Sequence, residues 1–290
     1  MKHFNAIPPM VLIVLFSAVS GFAQRNVSLG DNAALRYWSA YSEIQDSAVT
    51  DQQAKELNAI LDGSAPYDDS KYKELLEKNA LALNIMARGT SLPNCDWGLD
   101  YSLGDDLPGD YVKKALVLGR LNVLYAFHLF IVGNREQGVR ALVAGLRFSH
   151  DVASGGSLFA TLIAKDLIVT HLRAVGDALH LEQLSAAQRL RLQLALRPLG
   201  EGLDWRTAAK RDLEALRGHH AADPQTSAAL TQIIADYVAF LDDPSKLPLL
   251  NAAINSAPQQ LSSLIPNARR VLEQKQDLNN RLIETRSLLQ

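Results

Sequence analysis

Residues 110–132 read DYVKKALVLGRLNVLYAFHLFIV, and a helix formed by them would carry apolar side chains on almost every side. A helix at a protein surface has one apolar stripe, whereas a helix that is apolar all round needs neighbours on several sides. Pro108 precedes the segment at a position that favours a helix start, and Gly133-Asn134 form a turn after it. The segment therefore predicts a central helix with packed neighbours.

The flanking segments repeat the helical pattern. Apolar residues recur three and four positions apart over 135–153 and again over 157–180. Further helices are predicted to start near positions 31, 50, 69, 185, 204, 224, 246 and 266. After residue 23, no stretch alternates apolar and polar residues with the period of a β-strand. We predict an all-α protein, an irregular stack of antiparallel helical hairpins with a smaller C-terminal helical part.

The first 23 residues have the features of a secretory signal peptide. Lys2 is followed by a short apolar run over 10–19, and Gly21-Phe22-Ala23 form a small-residue cleavage signal. The apolar run is about half the roughly 20 residues that a spanning helix needs. We expect cleavage near Ala23 and export to the periplasm or the outside of the cell; the alternative is a buried or anchoring N-terminal helix. No later apolar run is expected to approach membrane length, and no membrane span is predicted after cleavage.

Two parts are predicted after the signal peptide. The segment RPLGEG at 197–202 has the proline and glycines of a linker, which divides the chain into a hairpin domain over 24–200 and a helical region over 201–290. The last helix, predicted over 266–290, has a seam of mostly apolar residues spaced three and four apart. That seam either packs on its own domain or joins two copies of the chain as an oligomer.

Charge and cysteine content exclude two classes of protein. The chain has 29 Lys and Arg against 31 Asp and Glu, so it lacks the basic excess that nucleic-acid binding usually needs. Cys95 is the only cysteine, so no intrachain disulfide is possible, and an exported chain must then be stabilised by its apolar core. We predict a buried Cys95 thiol with a structural role, no cofactor and no nucleic-acid partner.

The loop at 93–111, PNCDWGLDYSLGDDLPGDY, is the candidate binding segment. Its aspartates do not follow the order of a calcium loop, so no metal site is predicted. Aromatic residues beside acids suit contact with a carbohydrate or a peptide. The candidate binding residues are Asp96, Trp97, Asp100, Tyr101, Asp105 and Asp106. The other interpretation is a plug, in which Trp97, Leu99 and Leu103 cover the apolar end of the helices that follow.

Polar residues also interrupt two very apolar helices. Buried charges are costly unless they are paired, so Arg120 and Asp166 are predicted to form a buried clamp between helices. The alternative is that Arg120, Asn122, Lys165 and Asp166 form the polar floor of a groove.

The segment AFHLFIVGNREQGVRALVAGLRFS at 126–149 resembles one tetratricopeptide-type helical hairpin. The resemblance implies that small residues let two antiparallel helices approach each other while large ones fill the space between repeats. The small residues with this structural role are Ala126, Gly133, Gly138 and Gly145. The match covers one hairpin of about 34 residues, whereas an array needs about three repeats.

A second resemblance covers roughly residues 30–175. The segments DNAALRYWSAYS, CDWGLDYSLG and GNREQGVRALVAGLRFSHD are similar to those of a group of uncharacterised exported bacterial helical proteins. The resemblance implies a helical fold and export, and it implies no catalytic residues.

The sequence contains none of the familiar enzyme motifs, such as the nucleophile elbow, the zinc-protease helix or the phosphate-binding glycine loops. We therefore expect a non-catalytic scaffold or a module that binds a protein or peptide partner in the cell envelope, in a groove of the helical stack. Such a groove should lie on the concave face of residues 110–175. The alternative is a cell-envelope hydrolase that uses the acidic residues of the 93–111 loop.

Overall fold

Helices form nearly all of the described structure. The computed structural model describes residues 29–45, 51–100, 109–182 and 184–290, and these contain thirteen α-helices and no β-strand, which confirms the all-α fold. The helices are α1 (Ala33–Ser42), α2 (Asp51–Asp62), α3 (Asp69–Lys78), α4 (Ala80–Gly89), α5 (Asp110–Ile131), α6 (Arg135–Ala153), α7 (Leu158–Glu182), α8 (Ala186–Ala195), α9 (Trp205–His219), α10 (Pro224–Asp242), α11 (Leu247–Ser256), α12 (Gln259–Ser262) and α13 (Ala268–Leu289). The signal-peptide prediction lies outside the described residues.

The three consecutive helical segments predicted over 110–132, 135–153 and 157–180 form the centre of the fold. Helices α5, α6 and α7 each pack against the other two. Gly133, between α5 and α6, has φ +78°, a backbone conformation that costs glycine little and most residues considerably more. Asn134 then caps α6 by accepting a hydrogen bond from the N–H of Gln137. Ala126 is fully buried within this hairpin, and a Cβ on Gly138 would lie 2.9 Å from the Phe130 ring.

Helix α5 corrects one expectation. It has 22 residues and a mean hydropathy of 1.4 over its most apolar window, so by length and composition it is apolar enough to cross a membrane. The prediction that no later run approaches membrane length is therefore wrong for this helix. More than half of the window (56%) is buried inside the protein, because α6 and α7 pack against it. The helix thus has the packed neighbours that its all-round apolar sequence predicts.

The 93–111 loop is tied to the start of α1. Asn32 donates its side-chain amide to the carbonyl of Asp96 (2.7 Å) and accepts the N–H of Asp96 (2.9 Å). The N–H of Ala33 donates to the carbonyl of Asn94 at 2.7 Å. These bonds bring Trp97 under α1, where its ring is only 5% exposed and lies 4.8 Å from the Tyr111 ring.

The last helix packs on its own chain. Helix α13 contacts α7, α8 and α10. The residues of its predicted seam that are buried there are Ala268, Val271, Leu278, Leu282, Thr285 and Leu289. The seam is therefore occupied within one chain. An oligomer through 266–290 stays a prediction, and it would have to use the outer face of α13, where Ile283 is 64% exposed.

Several polar contacts cross the predicted linker at 197–202. Lys165 on α7 pairs with Asp277 on α13 at 2.8 Å, and its own side chain is only 10% exposed. Arg286 donates to the carbonyls of Leu196 (3.2 Å) and Leu199 (2.8 Å). Burial raises the pKa of Asp277, but hydrogen bonds from Lys165 and Arg281 outweigh it and hold the pKa below its ordinary value. The division at residue 200 stays a prediction, since these contacts join the two parts without testing whether each folds alone.

The predicted Arg120–Asp166 clamp is not a direct ion pair in the described part of the chain. The Asp166 side chain is 61% exposed and lies 3.7 Å from the Nζ of Lys165. Burial lowers the pKa of Arg120, and the charge of Asp166 partly opposes this effect. The two residues therefore have an electrostatic interaction without an ion-pair contact. The close ion pair on this side of α7 is instead Lys165 with Asp277.

A buried carboxyl group holds the start of α7. The N–H of Leu158 donates to Oδ2 of Asp212, a residue of α9, at 2.9 Å. The first N–H groups of a helix lack partners within the helix, so Asp212 supplies one from another element. Burial raises the pKa of Asp212 to about 6, although the bond from Leu158 acts in the opposite direction.

Candidate functional site

Helices α4, α6 and α8 surround an open groove of about 640 Å³. Helix α6 and two residues of α5, Asn122 and Tyr125, form its base, and α4 and α8 form its walls. Its apolar lining consists largely of small side chains: Leu83, Ala87, Ala141, Val143, Ala144, Leu194, Ala195 and Pro198. The uncharged polar lining residues are Asn84, Thr90, Asn122, Tyr125 and Gln137. A concave, mostly apolar site with a few polar groups is the usual form of a binding site.

The charged lining of the groove is positive only. Arg140 and Arg147 on α6 and Arg191 on α8 line it, and no lining residue is an Asp or a Glu. Arg140 and Arg147 are seven residues apart, so they lie on one face of α6 about 10 Å from each other along its axis. Their side chains are 61% and 32% exposed, and that of Arg191 is 46% exposed. All three side chains are therefore partly accessible from solvent, although Nε of Arg147 is itself buried.

Glu136 joins two of these arginines at the edge of the groove. Its Oε1 accepts from Nε of Arg140 at 3.2 Å and from Nη1 of Arg191. The hydrogen bond from Arg191 is the main reason why the pKa of Glu136 lies below its ordinary value. One carboxylate oxygen thus contacts guanidinium groups from both α6 and α8, which shows that the two side chains can converge on a single carboxylate.

The third arginine is held by a buried aspartate. Nε of Arg147 lies 3.1 Å from Oδ1 of Asp151, an ion pair without an aligned hydrogen bond. Asp151 is 2% exposed, and its Oδ2 accepts from the Tyr37 hydroxyl at 2.6 Å. Its backbone carbonyl accepts from Nε1 of Trp97 (2.9 Å) and from Oγ of Ser154 (2.6 Å). Burial, and then the charge of Asp151, raise the pKa of Tyr37, so Tyr37 stays a donor.

Below the groove, Asn122, Gly145 and His171 are in close contact. Nδ2 of Asn122 donates to the carbonyl of Ala141 at 2.9 Å and lies 3.1 Å from Nε2 of His171. Nδ1 of His171 lies 2.7 Å from the carbonyl of Leu167, which can only accept, so Nδ1 carries the proton and Nε2 accepts from Asn122. Burial lowers the pKa of His171 to about 4, so its ring is neutral near pH 7. A Cβ on Gly145 would lie 1.9 Å from Nε2 of His171.

The predicted groove floor is present in part. Of the four residues of that alternative, Asn122 lines the groove and is 2% exposed. Arg120, Lys165 and Asp166 do not line it.

Three of the six candidate binding residues of the 93–111 loop, Asp96, Trp97 and Asp100, lie in the described structure, and the loop site stays a prediction. Asp96 is exposed, and its Oδ1 accepts from the N–H of Gly98 at 2.9 Å. Asp100 is also exposed, whereas Trp97 is buried among tyrosines. Burial, followed by the charge of Asp151, raises the pKa of Cys95 to about 12, so its thiol stays protonated. Tyr101, Leu103, Asp105 and Asp106 lie outside the described residues.

No metal centre is found in residues 29–45, 51–100, 109–182 and 184–290, since no three His, Cys, Asp or Glu side chains there are grouped to hold an ion. His128 instead bonds to Oδ1 of Asp69 through Nδ1 at 2.6 Å. His150 lies 3.7 Å from Oδ1 of Asp151.

Two other clefts have lining charges of both signs. A cleft of about 870 Å³ beside α9 contains the ion pair of Arg206 with Asp242, at 3.1 Å. A cleft of about 480 Å³ beside the α2–α3 connection contains the pair of Arg173 with Asp177, also at 3.1 Å. The α4–α6–α8 groove differs because its lining arginines have no lining carboxylate among them.

Sequence reasoning missed the three groove arginines. The spacing of Arg140 and Arg147 on the predicted second helix was the one available signal, because residues seven apart share a helical face. Nothing local to residue 191 indicates that α8 lies beside α6.

Comparisons of the chain with protein-family models, with curated proteins and with solved structures found no significant match.

Proposed function

We propose that this protein is a non-catalytic binding module of the cell envelope, and that it holds a peptide segment of a partner protein in the α4–α6–α8 groove. The observation that carries the proposal is the open groove of about 640 Å³, with a mostly apolar lining and three arginines, on the side of α6 that faces α4 and α8. Export is part of the proposal and is supported by the signal-like sequence of the first 23 residues.

The lining suits a peptide better than a rigid small molecule. Ala87 and Leu194 face the groove from opposite walls, and Ala141 and Ala144 form a shallow base between them. Small side chains leave room for the apolar side chains of an incoming segment, and the surrounding polar groups can bond its backbone. Helical stacks generally use such extended grooves to bind partners.

The groove lining also offers little for catalysis. Its hydroxyl groups belong to Thr90 and Tyr125, and no carboxylate or imidazole lines the groove beside them to act as a base. The hydrolase alternative, which uses the acidic residues of the 93–111 loop, stays a prediction.

Site-directed photo-crosslinking tests the proposal. A photoreactive phenylalanine analogue is placed at Ala87 or Leu194, on the two walls, and at Leu249 as a control that is 56% exposed and lies outside the groove. Each protein is irradiated in cells, and the crosslinked peptides are sequenced. We expect one partner segment to be crosslinked from both walls and not from Leu249. Equal crosslinking from all three positions, or none from the walls, contradicts the proposal.

A further inference from the structure

We infer that the groove selects an acidic peptide segment, and that Glu136 is an internal carboxylate which this segment displaces from Arg140 and Arg191. The inference rests on the proposed function, and it adds the chemistry of the partner and a competing group within the chain.

The charge of the groove is the first argument. Three arginines line it without a lining carboxylate, although the whole chain is slightly acidic. Arginine binds carboxylates through parallel N–H groups with defined geometry, so an acidic segment has direct partners there. A neutral segment would leave the exposed guanidinium groups without new partners.

Glu136 is the second argument, because it already occupies part of this site. It lies one helical turn before Arg140, and it bonds arginines from two different helices. Its side chain is 41% exposed, so an incoming carboxylate can reach the same guanidinium groups from solvent. Exposed ion pairs contribute little to stability, and exchange of Glu136 for a carboxylate of the partner therefore costs the fold little.

The third argument is the position of Arg147. Its ion pair with buried Asp151 positions Nε of the guanidinium group, while 32% of the side chain stays exposed. It lies about two helical turns from Arg140 along α6. The guanidinium group of Arg147 reaches forward to Asp151, whereas that of Arg140 reaches back to Glu136, so the two can meet separate carboxylates of one segment. A segment with several acids and apolar residues between them thus has partners in both the arginines and the apolar lining.

A peptide pair tests this chemistry directly. The probe is a fluorescein-labelled peptide of four Ala-Glu-Leu repeats. The control peptide has the same length and label and carries Gln in place of each Glu. Binding to the full mature chain is followed by fluorescence anisotropy. We expect the Glu peptide to bind at least tenfold more tightly than the Gln peptide, and added salt to weaken it. Arg191→Gln should reduce its affinity about tenfold, whereas Arg270→Gln, a control on the exposed side of α13, should not.

The variant Glu136→Gln tests whether the peptide displaces Glu136 or is only attracted by the positive charge of the arginines. It removes the internal competitor and keeps the size of the side chain, so the affinity for the Glu peptide should rise at least threefold. The control Glu284→Gln, exposed on α13, should raise it much less. An unchanged or lower affinity of Glu136→Gln overturns the displacement.

The other outcomes distinguish this inference from the proposed function. If both peptides bind equally, or neither binds, the inference fails while wall-specific crosslinking still supports a binding module. Tighter binding of a single-stranded oligonucleotide than of the Glu peptide also overturns it. If wall-specific crosslinking is absent as well, the proposed function fails with it.

Discussion

The two faces of α6 differ in how completely they are closed. Towards α5 and α7, Gly145 leaves no room for even one carbon atom beside His171, and Nδ2 of Asn122 and both ring nitrogens of His171 bond to each other or to backbone carbonyls. Towards α4 and α8, the same helix leaves a groove of about 640 Å³ with Arg140 and Arg147 exposed in it. One helix therefore serves both as the rigid centre of the core and as the base of the candidate site.

This difference assigns separate roles to the two faces. On a close-packed face, any added side-chain volume forces the neighbouring side chains or helices to move. Substitutions there should therefore lower the stability of the fold. An open face can accept changes of charge with little structural cost, so substitutions there should act on binding. The three variants below test this division, in order of decreasing effect.

The largest effect is expected from Gly145→Ala. The new methyl group would lie 1.9 Å from Nε2 of His171 and 2.4 Å from Nδ2 of Asn122, so α6 must move away from α5 and α7. We expect the free energy of unfolding to fall by about 3 kcal/mol, measured by chemical denaturation. Gly176→Ala on α7 is the matched control, because its Cβ would meet nothing within 4 Å. It should gain up to about 1 kcal/mol from helix propensity. Equal losses in both variants would show that the closed face is not close-packed.

An intermediate and pH-dependent effect is expected from Asp212→Asn, on α9, because Asp212 bonds the start of α7, one of the helices that close this face. The pKa of Asp212 is raised to about 6 in the folded chain, so ionisation of its carboxyl group disfavours folding. The stability that the neutral carboxyl group contributes is present below about pH 4 and is lost as the pH rises through about 6. The substituted side-chain amide cannot ionise, and its oxygen still accepts the N–H of Leu158. We expect a gain of about 2 kcal/mol at about pH 7.5 and less than half of that at about pH 4.5, measured by denaturation at both values. A gain that is independent of pH contradicts the raised pKa.

The smallest effect on stability is expected from Arg191→Ala, on the open face. This substitution removes the contact with Glu136, but the Arg191 side chain is 46% exposed and the pair is accessible to solvent. The melting temperature, followed by circular dichroism, should change by less than about 2 °C. A decrease of more than about 5 °C would mean that the groove arginines hold α8 on α6, and the contrast between the two faces would disappear.

The central helices could be predicted from the sequence because their signals are local. The apolar run over 110–132, the turn at Gly133-Asn134 and the pattern of 135–153 agree with α5, the +78° glycine and α6 within one residue. The burial of the α13 seam could be anticipated only as one of two outcomes, since periodicity shows that a face is apolar and does not show what covers it. The Arg120–Asp166 pairing was proposed from residue type alone, and the register of α5 on α7 leaves Asp166 exposed instead.

Even less of the candidate site could be predicted from the sequence. The unusual composition of the 93–111 loop drew attention to Trp97, yet its ring is buried and its Nε1 is bonded to the carbonyl of Asp151, so it contributes to the core. The groove depends on Arg191, which is 55 residues from Glu136 in the chain and bonds to it in the fold.

Periodicity, turn residues and caps thus specify the helices of this protein, because backbone hydrogen bonds and apolar stripes arise between residues only a few positions apart. The pairing of helices was decided by tertiary packing. Whether a face closes, as at Gly145, or stays open, as at Arg140 and Arg147, depends on how side chains from distant segments fill the space between axes. A pattern of residues along one helix contains no information on that space.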